Sequence, residues 1–238
     1  MLNRPTLDNR EKSSYISLLN YNGNHSVKGE DFYLYPENLD QLRSIIKISS
    51  KMNIKVVATG YTSKIKISDL PNVKRVFVSS KLMASSLDID EINGFIEVES
   101  GANLRAVEEK FNSLGLNIPF YCDVDVSVGG FVSTINPLSK AAFYVKGIKC
   151  ITASGEIVTY GTKTQKNVAG YDLTKLFVGT FGKLSYIYSV LFQLIPKEQI
   201  YFNFEHYHSI NEIKNRENLN STIYNNLKNE IDPENIFI

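Results

Sequence analysis

Cysteine is nearly absent. Only Cys122 and Cys150 occur in 238 residues, too few for a disulfide framework and without the clustered spacing of zinc or iron–sulfur ligation. Both read as reduced, small, buried residues. Histidine is as scarce. His206 and His208 alternate and would share one face of a strand, but only Glu205 stands near them as an acidic ligand, so no metal site is expected. No apolar run approaches the roughly 18 residues of a membrane span, and the opening MLNRPTLDNREK has no apolar core of the signal-peptide kind. The expectation is a soluble, cytoplasmic chain. Nor does charge of one sign dominate: 26 Lys and Arg face 25 Asp and Glu, which excludes a net field suited to nucleic acid or an anionic membrane. Linkers rich in Gly, Ser or Pro are missing too, as are internal repeats.

What is present is enough apolar sequence, 43%, for one large domain or two lobes sharing an interface. After Pro36 and Asn38, Leu39, Leu42, Ile45, Ile46 and Ser49 recur at a helical period, and Asn53 supplies a stop. Ile54 to Thr59 then reads as a buried strand ending in the polar turn ATGYTSK. KRVFVSS and GFIEVES read as two more strands, and Asn103 caps a helix NLRAVEEKFNSL that Gly115 closes. YCDVDVSVGGFVST alternates like a strand running into a bend, and KGIKCITASGEIVTYG is a hairpin turning at Ser154-Gly155. From Leu184 to Ile195 both alternating faces are apolar, which marks a central strand with Leu184, Tyr186, Tyr188, Val190, Phe192 and Leu194 on one side. A last helix begins near Ser221 with Ile223, Leu227 and Ile231, and DPENIFI closes the chain. The class is α+β, with a division near residue 75 into a small lobe (1–75), a larger lobe (76–196) and a short C-terminal extension (197–238).

Three glycine-bearing turns stand out. ATGYTSK and the pair Gly129-Gly130 each follow a strand and can present successive backbone N–H groups beside hydroxyls, an arrangement suited to phosphate. Neither is G-x-G-x-x-G or G-x-x-x-x-G-K-[ST], so Rossmann and P-loop sites are not indicated, and a tight turn is the commoner reason for a single glycine. The third, KNVAGYDLTKLFVGTFGKLSYI, places Gly170 before Asp172, which can cap a short helix that Gly179 and Gly182 then end.

That third stretch resembles the end of the FAD-binding domain in the vanillyl-alcohol oxidase and p-cresol methylhydroxylase (PCMH) superfamily, above all the FAD-binding subunit of bacterial glycolate oxidase. YPENLDQLRSIIKISSKMNIKVVATGYTSK resembles the family's first helix, strand and pyrophosphate loop. IEVESGANLRAVEEKFNSLGLNIPF, VSVGGFVST and LKNEIDPENIF follow in the family's order. The resemblance implies a two-lobed PCMH-type fold, with a small βαβ-containing lobe and a larger lobe built on a mostly antiparallel sheet flanked by helices. It implies FAD held by Thr59, Gly60, Tyr61, Thr62, Ser63 and Lys64 and by Ser127, Gly129, Gly130, Ser133 and Thr134. Gly170 and Tyr171 would lie near the flavin, and Gly179, Gly182 and Ile187 near the adenine end. Neither loop carries a His, so the FAD is expected to be noncovalent. Two departures are plain: the first loop has Gly60 alone where the family has two or three glycines, and about two dozen residues stand between Pro196 and the closing helix where the family inserts a cap domain, so the cap is expected to be absent.

A cation beside the flavin would stabilise its reduced form, and Lys146 and Lys166 are candidates, with Tyr171 or Tyr144 able to bond substrate; surface solvation and packing explain the same residues. Asp123 and Asp125 could share a strand face, but solvated loop positions suffice for them, as helix capping does for Asp172. The resemblance implies an FAD-binding subunit of an oxidoreductase acting on a small 2-hydroxy acid, with partner subunits and no nucleic acid. Alternatives are a minimal single-chain flavoenzyme and a non-catalytic assembly protein that keeps the fold without cofactor.

Overall fold

The computed structural model describes residues 23–28, 31–61, 65, 67–84, 87–118, 120–121, 125–137, 139–163, 173–196, 202–203 and 221–238. Strands β1 (Asn24–Lys28) and β2 (Asp31–Tyr35) pair antiparallel. Helix α1 (Leu39–Lys51) then crosses to β3 (Lys55–Thr59), and β4 (Arg75–Ser79) lies between β2 and β3, parallel to both. Local chemistry explains α1: Asn38 caps it by accepting the Gln41 N–H at 3.0 Å, Leu42, Ile45, Ile46 and Ser49 form its buried stripe, and Asn53 ends it at φ 50°.

The larger sheet is wholly antiparallel, in the order β10-β9-β11-β6-β5. Its members are β5 (Leu87–Asp90), β6 (Phe95–Glu99), β9 (Val145–Ile151), β10 (Ile157–Gly161) and β11 (Tyr186–Gln193). Between β6 and β9 the chain forms α2 (Leu104–Asn112), the short strands β7 (Leu116–Asn117) and β8 (Phe120–Tyr121), α3 (Val128–Thr134) and α4 (Lys140–Tyr144). One core lies between the sheet and these helices, with Phe111, Phe131, Val132, Ile148, Val190 and Phe192 at its centre. A second core joins the lobes, packing Ile45, Val56 and Val76 of the small lobe with Ile151 and Tyr186 of the larger one. After β12 (Ile195–Pro196) and β13 (Phe202–Asn203), α5 (Ser221–Ile231) lays Tyr224, Leu227 and Ile231 on the larger core. The final residues return to the small lobe, where Phe237 pairs in parallel with Val56.

The small sheet takes in the whole of β4 and ends at Ser79. Two details differ from the sequence expectation. The stretch expected to run as a strand into a bend instead forms α3, because Ser127 caps it, accepting the Gly130 N–H at 3.1 Å. In β11, Tyr188 is an extra residue between the pairs Ile187–Cys150 and Ser189–Lys149, and this bulge reverses the alternation. Ile187 therefore joins Val190, Phe192 and Leu194 in the larger core, while Tyr186 and Tyr188 pack toward the small lobe.

The bulge also turns two adjacent hydroxyls to one side. Tyr188 donates to Glu99 at 2.8 Å and Ser189 to Glu97 at 2.6 Å, and Lys149 pairs with Glu97 at 2.9 Å. Burial together with Glu99 pushes the Tyr188 phenol up to about 12. At Glu97 burial raises the carboxyl, but the bonds from Ser189 and Lys149 outweigh it and the net shift is downward. A carboxylate so depressed adds stability above its ordinary range, and that stability is lost as pH falls through its folded value. Glu97→Gln should therefore flatten the acid limb of a stability-against-pH curve measured by urea melts; an unchanged limb would refute this.

Cys150 sits in β9 fully buried, and burial pushes its thiol up to about 11, with the nearby Ser185 hydroxyl pulling weakly back. We expect Cys150 to resist alkylation in the native protein at pH 8 and to react on unfolding, as peptide mass mapping would show.

Candidate functional site

Four chain turns meet where the two sheets abut. The first follows β3 as Thr59-Gly60-Tyr61, the second follows β4 at Ser79 and Ser80, the third follows β6 at Ser100 and Gly101, and the fourth is the start of α3 at Ser127. They are tied directly to one another. Ser79 Oγ donates to the Gly60 carbonyl at 2.8 Å, Tyr61 Oη to the Gly101 carbonyl at 3.1 Å, and the Gly129 N–H to the Ser100 carbonyl at 2.8 Å. The Gly101 N–H bonds the Met83 carbonyl at 3.1 Å, and Asn103 forms a backbone bridge with Ser127.

Small residues permit this approach. A Cβ on Gly60 would stand 2.0 Å from Ser127 Oγ, one on Gly101 1.8 Å from the Ser80 carbonyl oxygen, and one on Gly129 2.7 Å from Ser100 Cβ. Side chains at Gly101 and Gly129 would drive the loops apart, and one at Gly60 would displace the Ser127 side chain. Ser100 Oγ is buried and has no hydrogen-bond partner among the described residues, an orphan polar atom that calls for an explanation. Burial and the nearby Asp125 carboxylate raise the Tyr61 phenol, Asn103 partly offsetting them. Tyr61 thus stays protonated and serves as a donor.

A fifth segment closes against these four. Gly179 (φ 74°), Phe181 (φ 58°) and Gly182 (φ 73°) form a tight left-handed turn. Its Gly179 N–H reaches the Val132 carbonyl at 3.0 Å, its Phe181 N–H reaches the Ser133 carbonyl at 2.9 Å, and a Cβ on Gly182 would lie 2.9 Å from Ala58 Cβ. The glycines of the third motif therefore fit it between α3 and the end of β3.

A family model described as an FAD binding domain matches residues 31–161, more than half of the chain. The chain belongs to the FAD binding domain family. Among its relatives, the glycolate oxidase subunit GlcD of Bacillus subtilis is 29% identical over 71% of this chain and 38% of its own length. A D-lactate dehydrogenase of Archaeoglobus fulgidus is 26% identical over 68% of this chain and 38% of its own. The chain thus spans less than two fifths of these curated relatives. Among solved structures, an alkyldihydroxyacetonephosphate synthase superposes with a TM-score of 0.59 at 17% identity, covering 71% of this chain and 32% of that one. That likeness supports the fold alone. The PCMH-type expectation of the sequence is met in the family, in the two-lobed α+β architecture and in the cofactor, FAD.

The FAD binding domain family match ends at Gly161, yet the cradle draws on both sides of that limit. Of the residues expected to hold FAD, the structure gathers Thr59, Gly60 and Tyr61 with Ser127, Gly129 and Gly130, and sets Gly179 and Gly182 against them. Ser133 and Thr134 lie in the last turn of α3, where Thr134 Oγ1 donates back to the Gly130 carbonyl at 2.8 Å. Ile187 is buried in the larger core. Thr62, Ser63, Lys64, Gly170 and Tyr171 lie outside the described residues, as do Asp123, Lys166, Asp172, His206 and His208. Asp125 accepts from Asn103 Nδ2. Lys146 Nζ lies 4.0 Å over the Phe143 ring, and Tyr144 packs edge-on to the same ring.

Sequence reasoning missed Ser79, Ser80, Ser100 and Gly101. The signal was there in VFVSS and EVESGA, two strands each ending in small hydroxyl or glycine residues, but serine after a strand is also an ordinary turn residue. The residues present fit FAD: small residues, free hydroxyl capacity at Ser100 and closely spaced loop backbones are what a phosphate-bearing cofactor chain needs.

Proposed function

We propose that the chain is the FAD-binding part of an oxidoreductase for a small 2-hydroxy acid, working through noncovalent FAD with partner chains that complete the substrate site. The observation that carries this reading is the convergence of the five turns in a chain of this family, whose relatives include the glycolate oxidase subunit, the D-lactate dehydrogenase and a D-2-hydroxyglutarate dehydrogenase of Arabidopsis thaliana, 26% identical. Glycolate, lactate and 2-hydroxyglutarate share one reacting unit, a hydroxyl on the carbon beside a carboxylate. The need for a partner rests on a second point: only residues 204–220 separate β13 from α5, too short a span for a substrate domain of its own.

Bound FAD would take the two electrons lost as the hydroxyl carbon becomes a carbonyl. The chain's own task is to hold and orient it. Gly60, Gly101 and Gly129 keep the loops close, Ser100 and Ser127 supply hydroxyls, and the Gly179–Gly182 turn buttresses the cradle from the side. Lys146, on β9 beside Phe143, is the described cation we assign to the reduced cofactor's charge.

The test is to add FAD to the purified full chain, follow its visible band and release by acid, and then add glycolate, D-lactate or D-2-hydroxyglutarate without air. Acid-released FAD that none of the three bleaches until a partner is supplied supports the proposal. Bleaching of the isolated chain instead identifies a single-chain enzyme. A chain that takes up no FAD refutes both and leaves the assembly role.

A further inference from the structure

One side chain of the C-terminal segment joins its helix, its last residues and the turn that ends at Lys183. Lys228, on α5, has three ammonium donors, and each has an acceptor: Asp232 Oδ2 at 2.5 Å, the Phe237 carbonyl at 2.7 Å and the carbonyl of Lys183. Asp232 in turn accepts the N–H groups of Ile236 at 2.7 Å and Phe237 at 2.9 Å. The tail so shaped joins β3 through a single parallel bridge: Val56 N–H bonds the Ile236 carbonyl at 2.7 Å, and Ile238 N–H bonds the Val56 carbonyl at 3.1 Å. Lys183 ends the left-handed turn whose Gly182 presses on Ala58, two residues before Gly60.

β3, which carries the first FAD turn, is thus held from both sides by pieces that Lys228 joins. Phe181, a residue with a Cβ, sits at φ 58° in that turn, a conformation held only when its surroundings over-determine it. α3 holds the turn on one side and Lys228 on the other.

We infer that Lys228 is a positioning residue for FAD: it clasps the Gly179–Gly182 turn to the C-terminal tail and thereby sets where β3 delivers Gly60. The inference rests on the FAD reading and needs nothing of the substrate. Because coupling is reciprocal, a clasp that positions the FAD turn must itself be tightened by FAD.

The experiment is hydrogen exchange of the full wild-type chain with and without saturating FAD, saturation being read by quenching of flavin fluorescence. Exchange at Val56, Phe237, Ile238 and Lys183 should slow severalfold with FAD. Lys228→Met should weaken FAD binding about tenfold, and adding Phe181→Gly, which lets the turn keep its shape without the clasp, should restore most of it. Unchanged exchange at those amides in FAD-saturated protein overturns the inference while leaving the FAD reading intact. A Lys228→Met loss that Phe181→Gly does not restore overturns it as well. Should Lys228→Met fail to fold, the wild-type exchange alone decides. A wild-type chain that binds no FAD refutes the inference and the FAD reading together.

Discussion

Gly101→Ala is expected to cost about 3 kcal/mol of stability, the upper part of the range for forced overpacking, and to abolish measurable FAD binding. The added Cβ would stand 1.8 Å from the Ser80 carbonyl oxygen, 2.7 Å from its carbon and 2.8 Å from the Met83 carbonyl oxygen. All three are backbone atoms, so no rotamer change relieves the clash. The same backbone also carries the cradle, since the Gly101 N–H bonds Met83 and the Gly101 carbonyl accepts Tyr61 Oη. Any shift large enough to admit a methyl moves the second and third turns apart.

Two other glycines calibrate this result. At Gly60 the obstacles are Ser127 Oγ at 2.0 Å, which can rotate away at the loss of the α3 cap, and Ser127 Cβ at 2.9 Å, which must give slightly. Gly60→Ala should then cost about 1 kcal/mol, the worth of an N-cap, and Ser127→Gly should relieve it, because glycine caps nearly as well. At Gly115 the space is open and only φ 73° opposes a side chain, so Ala there costs about 1–2 kcal/mol and leaves FAD affinity alone. Urea melts and FAD titrations of the three variants check the order. Equal effects at Gly101 and Gly115 would show that backbone contact at the cradle is not what makes Gly101 necessary.

How much of this was readable beforehand depends on the range of the interaction. α1 and α2 were legible because their signals are local: Asn38 and Asn103 cap, apolar residues recur at 3.6, and Asn53 and Gly115 stop. The hairpin of β9 and β10 was legible for the same reason, with Gly155 at φ 77° in its turn. α3 was not, because VDVSVGG alternates like a strand, and the helix with glycines in its first turn is supported by the Ser127 cap together with burial of Val128, Phe131 and Val132 and the packing of Ser100 on Gly129 from another segment. The β11 bulge was equally hidden. Its extra residue is Tyr188, and nothing around Tyr188 departs from alternation; the bulge lets both hydroxyls reach Glu97 and Glu99 across the sheet. In the cradle, glycines next to strands were legible as close approaches, whereas their partners Ser79, Ser80 and Ser100 are defined by contacts with Gly60, Gly101 and Gly129, far away in the sequence. The family resemblance named the loops; the distances explain why those loops need these residues.

Asp232→Ala should be the more damaging change in the tail, at about 3–5 kcal/mol, the usual cost of stripping one partner from a buried charge pair. The Asp232 side chain is fully buried, that of Lys228 is 14% exposed, and they meet at 2.5 Å. Alanine would leave the Lys228 ammonium short of its counter-charge and the Ile236 and Phe237 N–H groups short of an acceptor. In a chain of this size each kcal/mol moves the midpoint by about 2–4 °C, so a fall of about 10 °C is expected, measured without FAD so that cofactor linkage plays no part. Raised salt should change it little, since a pair this buried is poorly screened. The double variant Asp232→Ala, Lys228→Met separates the causes. Removing both charges takes away the uncompensated ammonium but not the two unbonded amides, so about half of the loss should return. If none returns, the tail depends on Asp232 as an acceptor for Ile236 and Phe237 alone, and the ion pair adds nothing to its stability; if all of it returns, the buried charge was the whole of the cost.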